Sequence, residues 1–247
     1  MTLEQFFKEV PRAALAFSGG TDSALLLWAA KTYGCDVRAY YVNTVFQPAF
    51  ELADAQKLAK ELEVPMTVVE ADVLAVPEAA VNGPRRCYYC KKALFTTLWK
   101  RAAEDGYTVL LDGTNASDDA GDRPGMQALR ELEVRSPLRE CGITKDQVRQ
   151  MSKEAGLFTW DKPAYACLAT RVPTGTAITR EALEKVERGE NALFKLGFTD
   201  FRVRLMGDAA RIQLPEAQME RAVQLRDTIA KALEVDFSAV LLDLKGR

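Results

Sequence analysis

The sequence predicts an α/β protein, a parallel sheet with helices on both faces, followed by a small α+β domain. Three observations carry this prediction. Strand-like and helix-like segments alternate through the first part of the chain, the pattern that a parallel sheet with helical crossovers requires. A glycine turn, Ser18-Gly19-Gly20-Thr21-Asp22-Ser23, joins the first strand directly to the helix after it. Near Pro173 the alternation gives way to a long helix, a hairpin and a closing strand, which sets the domains at 1–170 and 171–247.

Taken in order, Arg12–Phe17 reads as a buried strand and Asp22–Tyr33 as a helix with Ala, Leu and Trp on its inner face. Asp36–Val42 is a second strand, Ala49–Leu62 an amphipathic helix and Met66–Glu70 a third short strand. An irregular stretch holds Pro77 and Asn82–Pro84. Cys90–Asp105 is then helical, Thr108–Leu111 a strand, and Asp146–Ala155 a helix entered through Thr144, a capping residue type. In the second domain Thr179 caps a helix to Leu196, and Phe201–Met206 and Ala209–Leu214 flank a Gly207–Asp208 turn. A helix from Pro215 to about Glu234 and a strand over Ser238–Asp243 complete the chain.

Composition narrows the chemistry. The 247 residues are 48% hydrophobic and 28% charged, enough for one sizeable core and an appended unit. A net charge of −2 supplies no basic field for holding a long nucleic acid. No segment has a signal-peptide layout, and apolar runs such as Ala24–Ala30 are too short to span a bilayer, so a cytoplasmic location without membrane contact is expected. There is no histidine. Ser–His–Asp and Cys–His catalysis are therefore excluded, as are histidine-containing metal sites. The five cysteines are expected to be thiols, metal ligands or catalytic groups rather than disulfides.

The glycine turn is built for an anion. Gly19 and Gly20 let the backbone turn tightly, and amides at the start of the following helix face the ligand with the positive dipole end behind them. Ser18 and Ser23 add hydroxyls, and Asp22 is placed to help hold Mg2+. The Gly-Lys-Ser/Thr ending of a Walker A loop is missing, which argues against γ-phosphate transfer. The stretch resembles the Ser-Gly-Gly-x-Asp-Ser signature of the PP-loop ATP pyrophosphatases. That resemblance implies a loop that grips the β- and γ-phosphates while a nucleophile attacks the α-phosphate, releasing pyrophosphate and leaving an adenylate.

Cys87-Tyr88-Tyr89-Cys90 lies between Arg85-Arg86 and Lys91-Lys92, a setting that favours thiolates. Alone it reads as redox-active, half a zinc site or incidental, and no second pair completes a zinc site. With Cys167 it makes three thiolates, a number that suits a [4Fe–4S] cluster with one open iron. Cys35 and Cys141 read as structural.

Over nearly its whole length the chain resembles the LarE-type sulfur transferases. Besides the PP-loop, the matching stretches are Arg86–Lys91, Asp112-Gly113-Thr114-Asn115, Asp122-Arg123-Pro124-Gly125, Ser136-Pro137-Leu138, Trp160–Pro163, Ala166–Arg171 and Arg202-Val203-Arg204. The resemblance implies adenylation of a carboxylate of pyridinium-3,5-biscarboxylic acid mononucleotide and replacement of AMP by sulfur, in nickel-pincer nucleotide biosynthesis. ATP and Mg2+ are then expected at Ser18–Ser23 and Asp112–Asn115, with Gly113, Thr114 and Asn115 as nucleotide contacts. The sulfur comes from Cys167 itself, leaving dehydroalanine, or from a [4Fe–4S] cluster on Cys87, Cys90 and Cys167. Arg202, Arg204 and Arg211 are expected to hold the substrate phosphate, with Glu190 nearby and Tyr88 or Tyr89 stacking on the pyridinium ring. A homo-oligomer such as a hexamer is implied too. The chain departs from the family at two places: members commonly carry His near Met206 and Glu where Gln213 stands. Competing readings are a PP-loop tRNA thiolase, an ammonia-using PP-loop synthetase and an ATP-sensing module. The first lacks its RNA-binding appendage here, the second leaves three cysteines without a role, and the third would bind ATP without releasing pyrophosphate.

Overall fold

The computed structural model describes residues 1–118 and 124–247; Asp122 and Arg123 of the quoted motif lie outside them. The chain divides into two compact units, Met1–Val76 with Arg85–Lys162, and Pro77–Pro84 with Pro163–Arg247. In chain order the elements are α1 (Leu3–Glu9), β1 (Arg12–Ala16), α2 (Thr21–Thr32), β2 (Asp36–Asn43), α3 (Ala49–Glu61) and β3 (Met66–Glu70). Then come α4 (Pro77–Ala80), α5 (Arg86–Glu104), β4 (Leu110–Leu111), α6 (Pro124–Glu131), α7 (Pro137–Glu140) and α8 (Lys145–Glu154). The rest are α9 (Arg180–Lys195), β5 (Arg202–Met206), β6 (Ala209–Gln213), α10 (Met219–Gln224), α11 (Arg226–Leu233) and β7 (Val240–Leu242).

In the first unit the sheet runs β3-β2-β1-β4 and every pairing is parallel. Successive residues of β1 point to opposite faces, so both faces must be covered. Ala13 and Leu15 enter a core with Leu25 and Leu26 of α2, Leu58 of α3 and Val148 of α8. Ala14 enters a second core with Tyr40 and with Leu98 and Ala102 of α5. Helices on both faces of a parallel sheet are thus what the alternation anticipates. Helix α1 was not anticipated, although its signal is present in Thr2 and Gln5, which form a reciprocal capping box. Helix α5 starts at Arg86 rather than Cys90 and so takes Cys87 into its first turn.

In the second unit Thr179 caps α9 by accepting from the Ala182 amide at 3.1 Å. Strands β5 and β6 pair antiparallel around Gly207, and β7 joins β6 in parallel. Val203, Ala210 and Ile212 face a core shared with Leu193, Ile229, Leu233 and Phe237. Arg202 pairs with Gln213 and Arg204 with Arg211, so these four side chains share the opposite face. The helix expected over Pro215–Glu234 is broken at Leu225, whose φ of −95° and ψ of 12° leave the helical region. Both fragments still reach the same core, through Ala222 and Ile229. Among the described residues no helix is long and apolar enough to cross a membrane.

Segment Pro77–Pro84 is stitched into the second unit by Asn82. This residue is buried at a positive φ of 59°, a conformation that Asn tolerates better than most side chains. Its Nδ2 donates to the carbonyls of Val172 (3.3 Å), Pro173 (2.9 Å) and Thr176 (3.1 Å), and its own carbonyl accepts from Gly175 at 2.9 Å. Urea unfolding of Asn82→Ala should show a loss of roughly 1–3 kcal/mol, because buried carbonyls lose their donor. An unchanged midpoint would mean that they find other partners.

Candidate active site

The site in the first unit grows from the end of β1. Phe17 donates its amide to the Tyr40 carbonyl at 2.9 Å, holding the strand in the sheet up to the glycine turn. Gly19 then takes φ +70°, and a Cβ there would stand 3.1 Å from the Ala55 backbone, so geometry and space both demand glycine. Gly20 caps α2 without a side-chain bond, which leaves the first-turn amides of Thr21, Asp22 and Ser23 directed at the turn. Ser18 and Ser23 hydroxyls lie 3.2 Å apart, and the Ser23 hydroxyl donates to the Gly20 carbonyl at 3.2 Å. Thr21 turns away from this concavity and donates to the Thr159 carbonyl at 2.9 Å, which anchors the helix start.

The segment after β4 closes on the same turn. Gly113 lets it approach: a Cβ there would lie 3.0 Å from the Ser23 amide nitrogen. Asp22 Oδ1 accepts from Asn115 Nδ2 at 3.0 Å, and Asp22 Oδ2 accepts from Lys145 Nζ at 2.5 Å. Asp112 accepts from the Thr114 hydroxyl and, at 2.6 Å, from the Ser136 hydroxyl. A cavity of about 390 Å3 opens here, with Ser18, Gly20, Asp22, Ser23, Asp112 and Thr114 on its polar side. Phe17, Val42, Leu94, Phe95 and Leu98 form an apolar wall, and Lys91 adds a cation. The Tyr41 hydroxyl, on a buried side chain lining the cavity, has no hydrogen-bond partner among the described residues, and burial pushes its pKa well up. Free amides, the carboxylates of Asp22, Glu51, Asp112 and Asp118, Lys91, and an apolar wall fit a nucleotide triphosphate with Mg2+.

Of the residues singled out in the sequence, Ser18, Gly20, Asp22, Ser23, Gly113 and Thr114 line this cavity; Gly19 shapes the turn, Asn115 bonds Asp22, and Thr21 is an anchor. Sequence reasoning missed Lys91, Lys145 and Ser136 as members. Lys91 and Ser136 stood inside motif stretches, so a signal existed. Nothing in the spacing of Lys145 links it to Asp22.

The second unit holds the arginine face. Arg202 is buried and donates to the carbonyls of Phe201 and Ala164, each at 2.6 Å. Burial and the neighbouring Arg171 push its pKa down to about 10. Arg204 donates to Gln213 Oε1 at 2.5 Å and to the Thr170 carbonyl; burial and nearby guanidinium groups lower its pKa too. Arg211 is more open, with its Nε 3.7 Å from Asp243. Glu190 is buried against Arg171, which donates from Nε at 2.8 Å and Nη2 at 3.1 Å. The Val203 amide (3.0 Å) and the Tyr165 hydroxyl also donate to Glu190. Arg171 Nη1 in turn donates to the carbonyls of Ala166 (2.6 Å) and Cys167 (3.2 Å), so this buried pair fixes the backbone that carries Cys167.

No cysteine is in a disulfide. Cys87 and Cys90 stand on the first turn of α5 in the first unit, with Arg86 Nη2 3.6 Å from Cys87 Sγ. Cys167 belongs to the second unit. Among the described residues no three Cys, Asp or Glu side chains are grouped so that they could hold a metal ion. Tyr88 is engaged nearby: its hydroxyl donates to Glu131 at 2.8 Å and accepts from Lys92 at 2.9 Å, and Arg85 lies 4.7 Å from its ring centre.

Comparison with known proteins agrees with this geometry. The family model of the queuosine biosynthesis protein QueC matches residues 12–81, which include β1, the glycine turn and α2. An uncharacterised protein of Synechocystis is 40% identical over 99% of this chain and 92% of its own length. The pyridinium-3,5-bisthiocarboxylic acid mononucleotide synthase of Lactiplantibacillus plantarum is 36% identical over 99% of this chain and 90% of its own. A tRNA-specific 2-thiouridylase of Clostridium botulinum is 24% identical, over 71% of this chain and 60% of its own.

The cysteines differ in burial, and that difference is measurable. Burial and the adjacent Asp36 carboxylate push the Cys35 thiol up to about 11, so at pH 8 roughly one part in a thousand is the reactive thiolate. A thiol reagent at pH 8 should label exposed Cys87 within the native chain and spare Cys35 until denaturant is added. Early labelling of Cys35, read by peptide mass spectrometry, would contradict its placement under α2.

Proposed function

We propose, because this chain belongs to the family of the pyridinium-3,5-bisthiocarboxylic acid mononucleotide synthases, that it is an ATP-dependent sulfur transferase acting on pyridinium-3,5-biscarboxylic acid mononucleotide. The observation that carries the reading is the closure of the Asp112–Asn115 segment on the Ser18–Ser23 turn around Asp22. The turn lies at the carboxyl end of the parallel strands, where α/β folds bind nucleotides.

In the first step a substrate carboxylate oxygen attacks the α-phosphorus of ATP, and pyrophosphate leaves with the electrons of the broken P–O bond. The turn amides would donate to the β- and γ-phosphates, Lys91 and Lys145 would add positive charge, and Asp22 and Asp112 would hold the metal ion, which supplies charge neutralisation at the phosphates. In the second step a sulfur nucleophile attacks the acyl carbon and AMP leaves. Cys167 is the sulfur residue. Acting alone, its thiolate forms a thioester; loss of the Cα proton then breaks the Cβ–S bond, giving dehydroalanine and the thiocarboxylate. A [4Fe–4S] cluster bound by Cys87, Cys90 and Cys167 would instead supply a labile sulfide. Arg202, Arg204 and Arg211 form the cationic face for the substrate phosphate, and Glu190 holds Arg171 behind it. The same reading carries a cytoplasmic, homo-oligomeric enzyme.

Asp22→Ala should abolish substrate-dependent pyrophosphate release. Cys167→Ala should keep pyrophosphate release and stop thiocarboxylate formation; wild-type thiocarboxylate rates in that variant would remove Cys167 from the sulfur step. Iron and sulfide analysis of protein purified without oxygen separates the two sulfur sources. About four irons per chain, lost in Cys87→Ala, support the cluster. An iron-free chain with dehydroalanine at position 167 after turnover supports the sacrificial route.

A further inference from the structure

Two guanidinium groups on the arginine face, Arg204 and Arg211, sit directly opposite each other on β5 and β6. Like charges in that arrangement repel, and Arg171 and Arg247 add to the field at Arg204. Something must hold the pair in place. Asp243, the residue that follows β7, stands beside Arg211 and is linked to Arg204 through Gln213. Its amide donates to the Ile212 carbonyl at 2.9 Å, which fixes it beside the end of β6.

From there Asp243 Oδ2 accepts from Gln213 Nε2 at 2.7 Å and lies 3.7 Å from Arg211 Nε. Gln213 uses its other end, Oε1, to accept from Arg204 Nε at 2.5 Å. Chemistry allows only this orientation of the amide, because an arginine can only donate and a carboxylate can only accept. The result is a chain, Arg204–Gln213–Asp243, with Arg211 at its far end. These bonds and the Arg211 charge hold the Asp243 carboxyl below its usual range. Among the described residues Arg211 Nε has no hydrogen-bond partner, and it is steered by the charge of Asp243 rather than bonded to it.

We propose that Asp243 is a positioning residue for the substrate-binding arginines, and that Gln213 and Asp243 work as a matched pair. A carboxylate at position 213 would accept equally well from Arg204, but it would face Asp243 at hydrogen-bond distance with no proton to share. An amide at 243 would accept from Gln213 yet leave Arg211 without a counter-charge. Moving the charge from 243 to 213 keeps one carboxylate in the chain, two residues from Arg211 on the same face of β6, and one amide beside it. The pair therefore tolerates acid–amide or amide–acid, and neither acid–acid nor amide–amide. This inference rests on the assignment of the mononucleotide phosphate to the arginine face.

The test is a double-mutant cycle on the full chain with Q213E, D243N and Q213E/D243N, assayed by pyrophosphate release with the pyridinium biscarboxylate mononucleotide varied. Each single variant should raise the KM for the mononucleotide about tenfold: Q213E turns the charge-assisted bond to Asp243 into a carboxylate repulsion, and D243N removes the counter-charge of Arg211. The kcat and the KM for ATP should stay within about twofold. The double variant should return the mononucleotide KM to within about threefold of the parent. Single variants with a parental KM, or a double variant no better than either single, would overturn the proposal. An equal rise in the KM for ATP and for the mononucleotide would also overturn it, since it would mark general structural damage. If the parent chain itself releases no pyrophosphate with this substrate, the proposed function fails, and the role of Asp243 in substrate binding falls with it.

Discussion

A Cβ at position 19 would stand 3.1 Å from the Ala55 backbone, and one at position 113 would stand 3.0 Å from the Ser23 amide. Contacts this tight are tolerable only where no side chain exists, and the nucleotide cavity depends on both. Gly19 lets β1 turn into α2 without being pushed off α3. Gly113 lets the segment after β4 come close enough for Asn115 and Lys145 to meet Asp22. A strand made of Ala13, Ala14, Leu15 and Ala16 serves the same end, since small residues keep the helices on both faces close to the sheet. Close backbone approach is thus the constraint from which the anion site follows.

The second unit is organised by charge rather than by backbone approach. Arg171 and Glu190 form an ion pair that is essentially without solvent contact. Such a pair adds little net stability, because desolvation offsets much of the attraction, yet losing one partner leaves a buried charge uncompensated. Its value here is positional. Glu190 accepts from the Val203 amide, and Arg171 donates to the carbonyls of Ala166 and Cys167. One buried pair thereby ties the arginine-bearing strand β5 to the loop that presents Cys167.

The two halves of the proposed chemistry are therefore held by different physics. Phosphate binding draws on main-chain amides at a helix start, where the partial charges are fixed by the backbone and cost nothing to orient. Recognition on the arginine face draws on side chains that carry full charges and must be held apart. Arg202 is held by carbonyls, Arg204 by a carbonyl and an amide, and Arg211 by a nearby carboxylate.

By itself the sequence determined the parallel α/β class, the glycine turn, the hairpin at Gly207 and the grouping of Arg202 with Arg204 on one strand face. These follow from local rules: side-chain period, glycine conformation and capping act over a few residues, so they can be read along the chain. Local rules also held the signals for α1 and for the start of α5, where the Thr2–Gln5 box and the Cys87 turn were open to a closer reading. Only the tertiary structure decided that Lys145 reaches Asp22, that Asn82 ties its segment to the loop near Pro173, that Glu190 is enclosed by Arg171, and that Asp243 stands behind Gln213. Each of these pairs residues far apart in sequence, and their meeting depends on strand order, register and burial. No spacing rule encodes such a contact; the folded sheet creates it.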